Sequence, residues 1–257
     1  MHPNPSLTDS CLHLADDALI LGHRNSEWTG HGPILEQDIA LSNIALDLIG
    51  QARNFYQYAA TLKADGSTED SLAYLRDGWD FKNCLLVEQV NGDWAKTVLR
   101  QFFFSAHQYF LYERLQESKD ETLAAISEKA FKEVAYHLRW SSEWVIRLGD
   151  GTDESHRRME KAVDELWKFT GELFLPAPYE AQLAKEGYGV DLLSVQPLWK
   201  EKVNEIFAEA TLTIPVEEEG KETWMQTGGK AGRHTEHLGY LLAEMQFLQR
   251  AYPGGEW

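Results

Sequence analysis

Apolar residues recur at helical spacing along nearly the whole chain, and that pattern predicts an all-α fold. Thr8 or Asp9 can cap a first helix that runs to about Trp28 and stops in the stretch Thr29–Pro33. A second runs from about Ile34 to Leu62, with Leu41, Ile44, Leu48, Ala52, Phe55 and Ala59 on one face. A short helix is expected over roughly 69–77, and the apolar run Leu85–Val90 reads as a helix end or loop before the turn signal Asn91–Gly92. The helix at about 93–118 carries Phe102, Phe103, Phe104, Tyr109 and Phe110, so it should be buried on several sides or pack against another subunit. A fourth long helix spans about 121–148, with Ile126, Ala130, Val134, His137, Leu138 and Val145 aligned. Asp153 or Ser155 opens another that ends near Phe174; after Pro176 and Pro178, helices are expected at about 195–211 and 235–251. No β-alternation of useful length and no internal repeat interrupts this series. The expected organisation is one domain over 1–257, with a bundle core at about 9–175 and an irregular C-terminal extension at about 176–257.

Composition narrows the partners. With 41 acidic against 24 basic residues the net charge is −17, which disfavours nucleic acid and anionic membranes as ligands. No apolar run reaches the length of a membrane span, and residues 1–10 lack a signal-peptide pattern. Cys11 and Cys84 stand far apart without a CxxC, which suits a reducing cytoplasm.

The candidate chemistry begins at KEVAYH (132–137). In a four-helix di-iron bundle the repeating unit is Glu-x-x-His, because residues three apart share a helix face. Here Val134 stands three before His137, and Glu133 is four away, off the required spacing. His107 likewise has Phe104 three before it, so a hydrogen-bonded core histidine is the plainer reading for both. Asn43, Asp47, Gln51 and Asn54 form a polar stripe on the second helix, which reads more simply as a solvated or interhelical face. His234-Thr235-Glu236-His237 lacks the HExxH spacing, and Thr235 with Glu236 reads as a helix start. The preceding GGKAGR (228–233) lies in a loop rich in glycine and charge, Pro215–Arg233. Lys230, Arg233 and His234 there could contact a partner, or an anion such as the acidic part of coenzyme A, although the Walker spacing is absent.

Three long blocks, LGHRNSEWTGHGPILEQDIALSNIALDLIGQARNF (21–55), KAFKEVAYHLRWS (129–141) and GGKAGRHTEHLGYLLAEMQFLQR (228–250), resemble the C-subunit family of bacterial multicomponent 1,2-phenylacetyl-CoA epoxidases. The resemblance implies a ferritin-like all-α fold and a cytoplasmic, heteromeric monooxygenase complex in phenylacetate catabolism. It implies as partners a homologous catalytic A subunit holding the di-iron centre, a small B subunit and a reductase. It further implies that the complex uses NADPH and oxygen to epoxidise the ring of phenylacetyl-CoA, with a non-catalytic C subunit. Laid on the catalytic subunit's motif, Glu27 falls at a first-helix carboxylate, Leu48 and Gln51 replace a Glu and a His, and Val134 replaces the Glu before His137. The third-helix carboxylate falls near Ser105. Only Glu27 and His137 could then ligate, so no metal or other cofactor is expected in this chain. Glu27 and His137 would take core partners such as Arg53 or Tyr136. The competing reading is an oxygenase in its own right, with a metal held by Glu27, His137, His107 and an acid such as Asp47 or Glu133.

Overall fold

The computed structural model describes residues 4–215 and 224–255. Among them the regular structure is helical throughout, so the fold class is all-α: α1 (Pro5–Ser26), α2 (Leu35–Lys63), α3 (Glu69–Tyr74), α4 (Trp94–Leu115), α5 (Glu121–Gly149), α6 (Asp153–Leu166), α7 (Pro178–Glu186), α8 (Leu192–Glu209), α9 (Glu236–Met245) and α10 (Phe247–Ala251). The four longest of the described helices are α1, α2, α4 and α5, an all-helical make-up consistent with a ferritin-like fold. No helix among the described residues is long and apolar enough to cross a membrane.

The chain divides into two compact units, residues 1–90 with 228–257, and residues 91–227. The expected C-terminal extension is therefore shared out: α7 and α8 belong to the second unit, α9 and α10 to the first.

In the first unit α1 and α2 form a close-packed pair joined by an eight-residue connection, 27–34. Gly22 permits their approach. A Cβ there would stand 3.1 Å from Ile49 Cγ1 and 3.3 Å from both the Ala45 carbonyl and Leu48 Cβ. The helix begins earlier than the Thr8 or Asp9 cap expected from sequence: Asn4 accepts from the Leu7 N–H at 3.2 Å, and Pro5 occupies the first turn. Proline suits that place because the amide it lacks would have no intrahelical acceptor.

In the second unit α4 pairs with α5 and also packs on α6 and α8. Phe102 and Phe103 sit against Phe207, with centroids 6.5 and 5.9 Å away, and Phe103 also meets Trp167 and Trp199. The helix expected to run to Phe174 ends at Leu166 and continues as two short 3-10 turns. Helix α7 departs from the expected break at the prolines, because Pro178 occupies its first turn and Glu180 accepts the Ala177 N–H at 2.8 Å. Helix α8 starts at Leu192 under an Asp191 cap and tolerates Pro197 within its first turns. Of the loop expected at 215–233, residues 216–223 lie outside the described residues; Gly229–Ala231 form a 3-10 turn with Gly229 and Lys230 buried.

Candidate functional site

The positions aligned with metal ligands can be followed within each unit. In the first, Glu27 caps the C-terminus of α1 with its side chain 42% exposed, and accepts from Arg24 Nη1 at 2.8 Å. Arg24, not Arg53, is thus its partner. Arg53 is exposed and pairs with Glu69 at 3.4 Å. Leu48 is fully buried at the Gly22 crossing, and Gln51 is buried one turn on. In the second unit Val134 and His137 are both fully buried on α5. The neighbouring Tyr136 lies 37% exposed, its ring centroid 6.3 Å from that of His137. His107 is buried edge-on against Phe174, with centroids 5.6 Å apart. Among the described residues no three His, Cys, Asp or Glu side chains group as a metal ion requires. A di-iron pair needs several carboxylates to balance its charge. Leu48 in the first unit and Val134 in the second are buried apolar side chains that carry no ligating atom.

The dense chemistry of the first unit lies elsewhere, in a buried polar cluster. Asp16 and Asp17 interrupt an otherwise apolar stretch of α1 and are both buried. Asp16 accepts from the Lys82 N–H at 2.8 Å, from Tyr56 Oη at 2.5 Å, and from both Nη atoms of Arg76. Burial and the Asp16 charge together push the Tyr56 hydroxyl well above the ordinary tyrosine range. Arg76 is locked further by the carbonyls of Leu72 and Asp80 and lies 4.3 Å above the Phe81 ring. Asp17 takes the Cys84 N–H at 2.7 Å and has His13 Nε2 at 3.6 Å. Its pKa is raised, burial outweighing the attraction of His13, the Cys84 N–H and Lys230.

Glu88 is the third buried acid, and it holds the C-terminal arm. Its Oε1 accepts the Thr235 N–H at 2.6 Å, while Oε2 accepts from His234 Nδ1 at 2.9 Å and Asn83 Nδ2 at 3.0 Å. The Glu88 carbonyl receives Arg24 Nε and Nη2, and Arg24 Nη2 also reaches the His237 carbonyl at 3.1 Å. His234 Nε2 faces the Phe81 carbonyl at 3.0 Å. A carboxylate and a carbonyl can only accept, so the imidazolium, which donates from both ring nitrogens, is the form of His234 that these two partners favour. Burial alone would lower its pKa, but the hydrogen bond and charge of Glu88 raise it overall.

This arrangement immobilises chain rather than exposing reactive groups. The acids of α1 fasten the irregular segment 76–84, and Glu88 fastens residues 234–235. Of the cations that composition suggested as partner or anion contacts, Lys230 is buried and His234 is committed on both nitrogens; Arg233 is exposed. Sequence reasoning missed Asp16, Asp17, Arg76 and Glu88. A pair of acids inside the apolar run LADDALILG was the available signal, because unpaired charges are not tolerated at buried helix positions.

Comparison with known proteins places this geometry in context. The chain is 51% identical over 251 residues to the C subunit of 1,2-phenylacetyl-CoA epoxidase from Escherichia coli (strain K12), covering 98% of this chain and 99% of that protein. A family model described as "Phenylacetic acid catabolic protein" matches residues 2–257. On that near-complete coverage the chain belongs to the phenylacetic acid catabolic protein family.

Proposed function

We propose that this chain is the non-catalytic, structural subunit of a cytoplasmic phenylacetyl-CoA epoxidase complex, and that it pairs with and stabilises a homologous di-iron catalytic subunit. The observation that carries the reading is the burial of Leu48 and Val134, both 0% exposed, where the resemblance aligns ligand glutamates. A carboxylate at such a place is sustained by metal charge, whereas leucine and valine are stable without it. The three buried acids of the first unit support the same role, since they are spent on holding irregular backbone in place. The remaining partners are the small B subunit and the reductase of the same system, with iron held by the catalytic subunit.

The test is co-expression with the catalytic subunit, followed by purification and metal analysis of each chain grown with iron. A stable pair is expected, with iron following the catalytic chain and this chain iron-free when purified alone. Stoichiometric iron in this chain alone would overturn the proposal and favour a metal held by Glu27, His137 and His107. Failure of the two chains to co-purify would remove the stabilising role.

A further inference from the structure

Helix α2 carries apolar residues on two opposite faces, and only one of them is buried. Leu41, Ile44, Leu48 and Phe55 are fully buried on the face of the helix that its pairing with α1 covers. On the other face Leu35, Ile39 and Leu46 are 71%, 52% and 66% exposed, and the exposed Ile34 precedes them. A surface helix that serves only its own core is polar on its outer face. A single exposed leucine needs no explanation, whereas an aligned series on one helix face does.

The exposed face is self-complementary in its spacing. Leu35, Ile39, Leu46 and Gly50 follow one another at steps of four, seven and four, an order that is the same in both directions. In an antiparallel pair of α2 helices with its two-fold axis between Ser42 and Asn43, Ile39 of each copy therefore faces Leu46 of the other, and Leu35 faces Gly50. Gly50 supplies the notch for Leu35, because a Cβ built on it would meet nothing within 4 Å. Charge follows the same register. Arg53 pairs with Glu69 at 3.4 Å, yet its side chain remains 69% exposed. In the pair it comes within about one helical turn of the exposed Glu36 of the second copy, and the two-fold axis repeats that approach of opposite charges.

We propose that this face of α2 is a homodimer interface, on which a second copy of the chain docks its own α2 in antiparallel orientation. Four turns of one helix cover less than the roughly 800 Å² per partner of a standard stable interface. A net charge of −17 on each copy also opposes association. The dimer is accordingly weak, with a dissociation constant on the order of 100 µM. The inference goes beyond the role proposed in the complex and does not rest on it.

The experiment is sedimentation equilibrium of the full chain at about 150 mM salt, from micromolar concentration to about 0.5 mM. A monomer–dimer equilibrium is expected. Leu46→Glu is an exposed change, checked by circular dichroism, that sets a carboxylate against each Ile39 and should weaken the dimer about tenfold or more. Gly50→Leu improves helix propensity while filling the notch, and should weaken it as well. Cross-linking with a bismaleimide tests the register, because the native Cys11 and Cys84 are buried. Ser42→Cys, next to the axis, should give covalent dimer. Gln57→Cys, exposed on the same helix, should give none, since its two copies lie about 40 Å apart in this register. A chain that stays monomeric at the highest concentration overturns the proposal. So does undiminished dimerisation of folded Leu46→Glu, or equal cross-linking from both positions. If the chain is monomeric and Leu46→Glu abolishes co-purification with the catalytic subunit, the face belongs to that subunit and the second copy is refuted.

Discussion

Replacing Glu88 by alanine is the most direct challenge to the view that buried acids hold this chain's irregular parts. The substitution removes the acceptor of the Thr235 N–H, His234 Nδ1 and Asn83 Nδ2 together. The glutamate is fully buried and the His234 side chain only 7% exposed, so water does not readily replace it. Removing one partner of a buried ion pair costs about 3–5 kcal/mol, because the other charge is left uncompensated. That is a large share of a total stability of order 5–15 kcal/mol. Two compact units need not unfold together, so the loss should be read locally as well as globally. Hydrogen exchange across residues 228–245 should accelerate by two orders of magnitude or more, and the urea midpoint should fall. Glu88→Gln keeps the shape and one acceptor, and its loss should be roughly half as large. The pH dependence supplies a sign. The folded pKa of His234 is raised, so its stabilisation is complete below the ordinary value of 6.5 and fades as pH rises through the raised value. The stability gap between wild type and Glu88→Gln should therefore narrow from pH 6 towards pH 9. A loss below about 1 kcal/mol with unchanged exchange at 228–245 would refute the reasoning, placing the pair in the class of weak ion pairs.

Other expectations follow from single contacts. Gly149→Ala would drive a Cβ onto the Ala210 carbonyl, which is backbone and cannot swing aside, and to 2.7 Å from Ala210 Cβ; a loss of about 2 kcal/mol or more is expected by thermal melting. Leu48→Glu would bury a carboxylate beside Gly22 without a cation, and should lower the urea midpoint by the equivalent of about 3 kcal/mol or more; a folded variant of unchanged stability would undermine the argument from apolar ligand positions. Trp199→Phe removes the indole N–H that donates to the Phe103 carbonyl and puts a smaller ring at a fully buried site, for an expected loss of about 1–3 kcal/mol in a denaturant titration.

Much of this architecture was legible in the residues, and the failures have physical causes. The long helices announce themselves because their buried faces repeat every three or four residues, as Leu41, Ile44, Leu48, Ala52, Phe55 and Ala59 do on α2. Helix α7 was hidden because Pro178 reads as a breaker unless it is placed in a first turn, where its missing amide does no harm. The buried cluster was illegible for a different reason. Asp16 meets Arg76 60 residues away, and Glu88 meets His234 146 residues away, so no local window contains both charges. Composition accordingly presents GGKAGRH as a flexible basic loop, whereas its distant carboxylate partner makes it a packed one. The aligned ligand positions were legible only through resemblance. Val134 before His137 is, by itself, an ordinary apolar residue on an apolar helix face.

The two kinds of buried position explain each other. In a bundle lined by metal ligands, inward carboxylates repel one another and are held by the cation they share, so such a core depends on being loaded. Here Leu48 and Val134 are buried side chains that pack with no cation, while Asp16 and Glu88 of the first unit stand where arginine, histidine and backbone amides offset their charge. The charge of these two acids is thereby offset by the polypeptide itself. Irregular backbone in the first unit is thus held without a bound metal, which is what the proposed scaffold role asks of this chain.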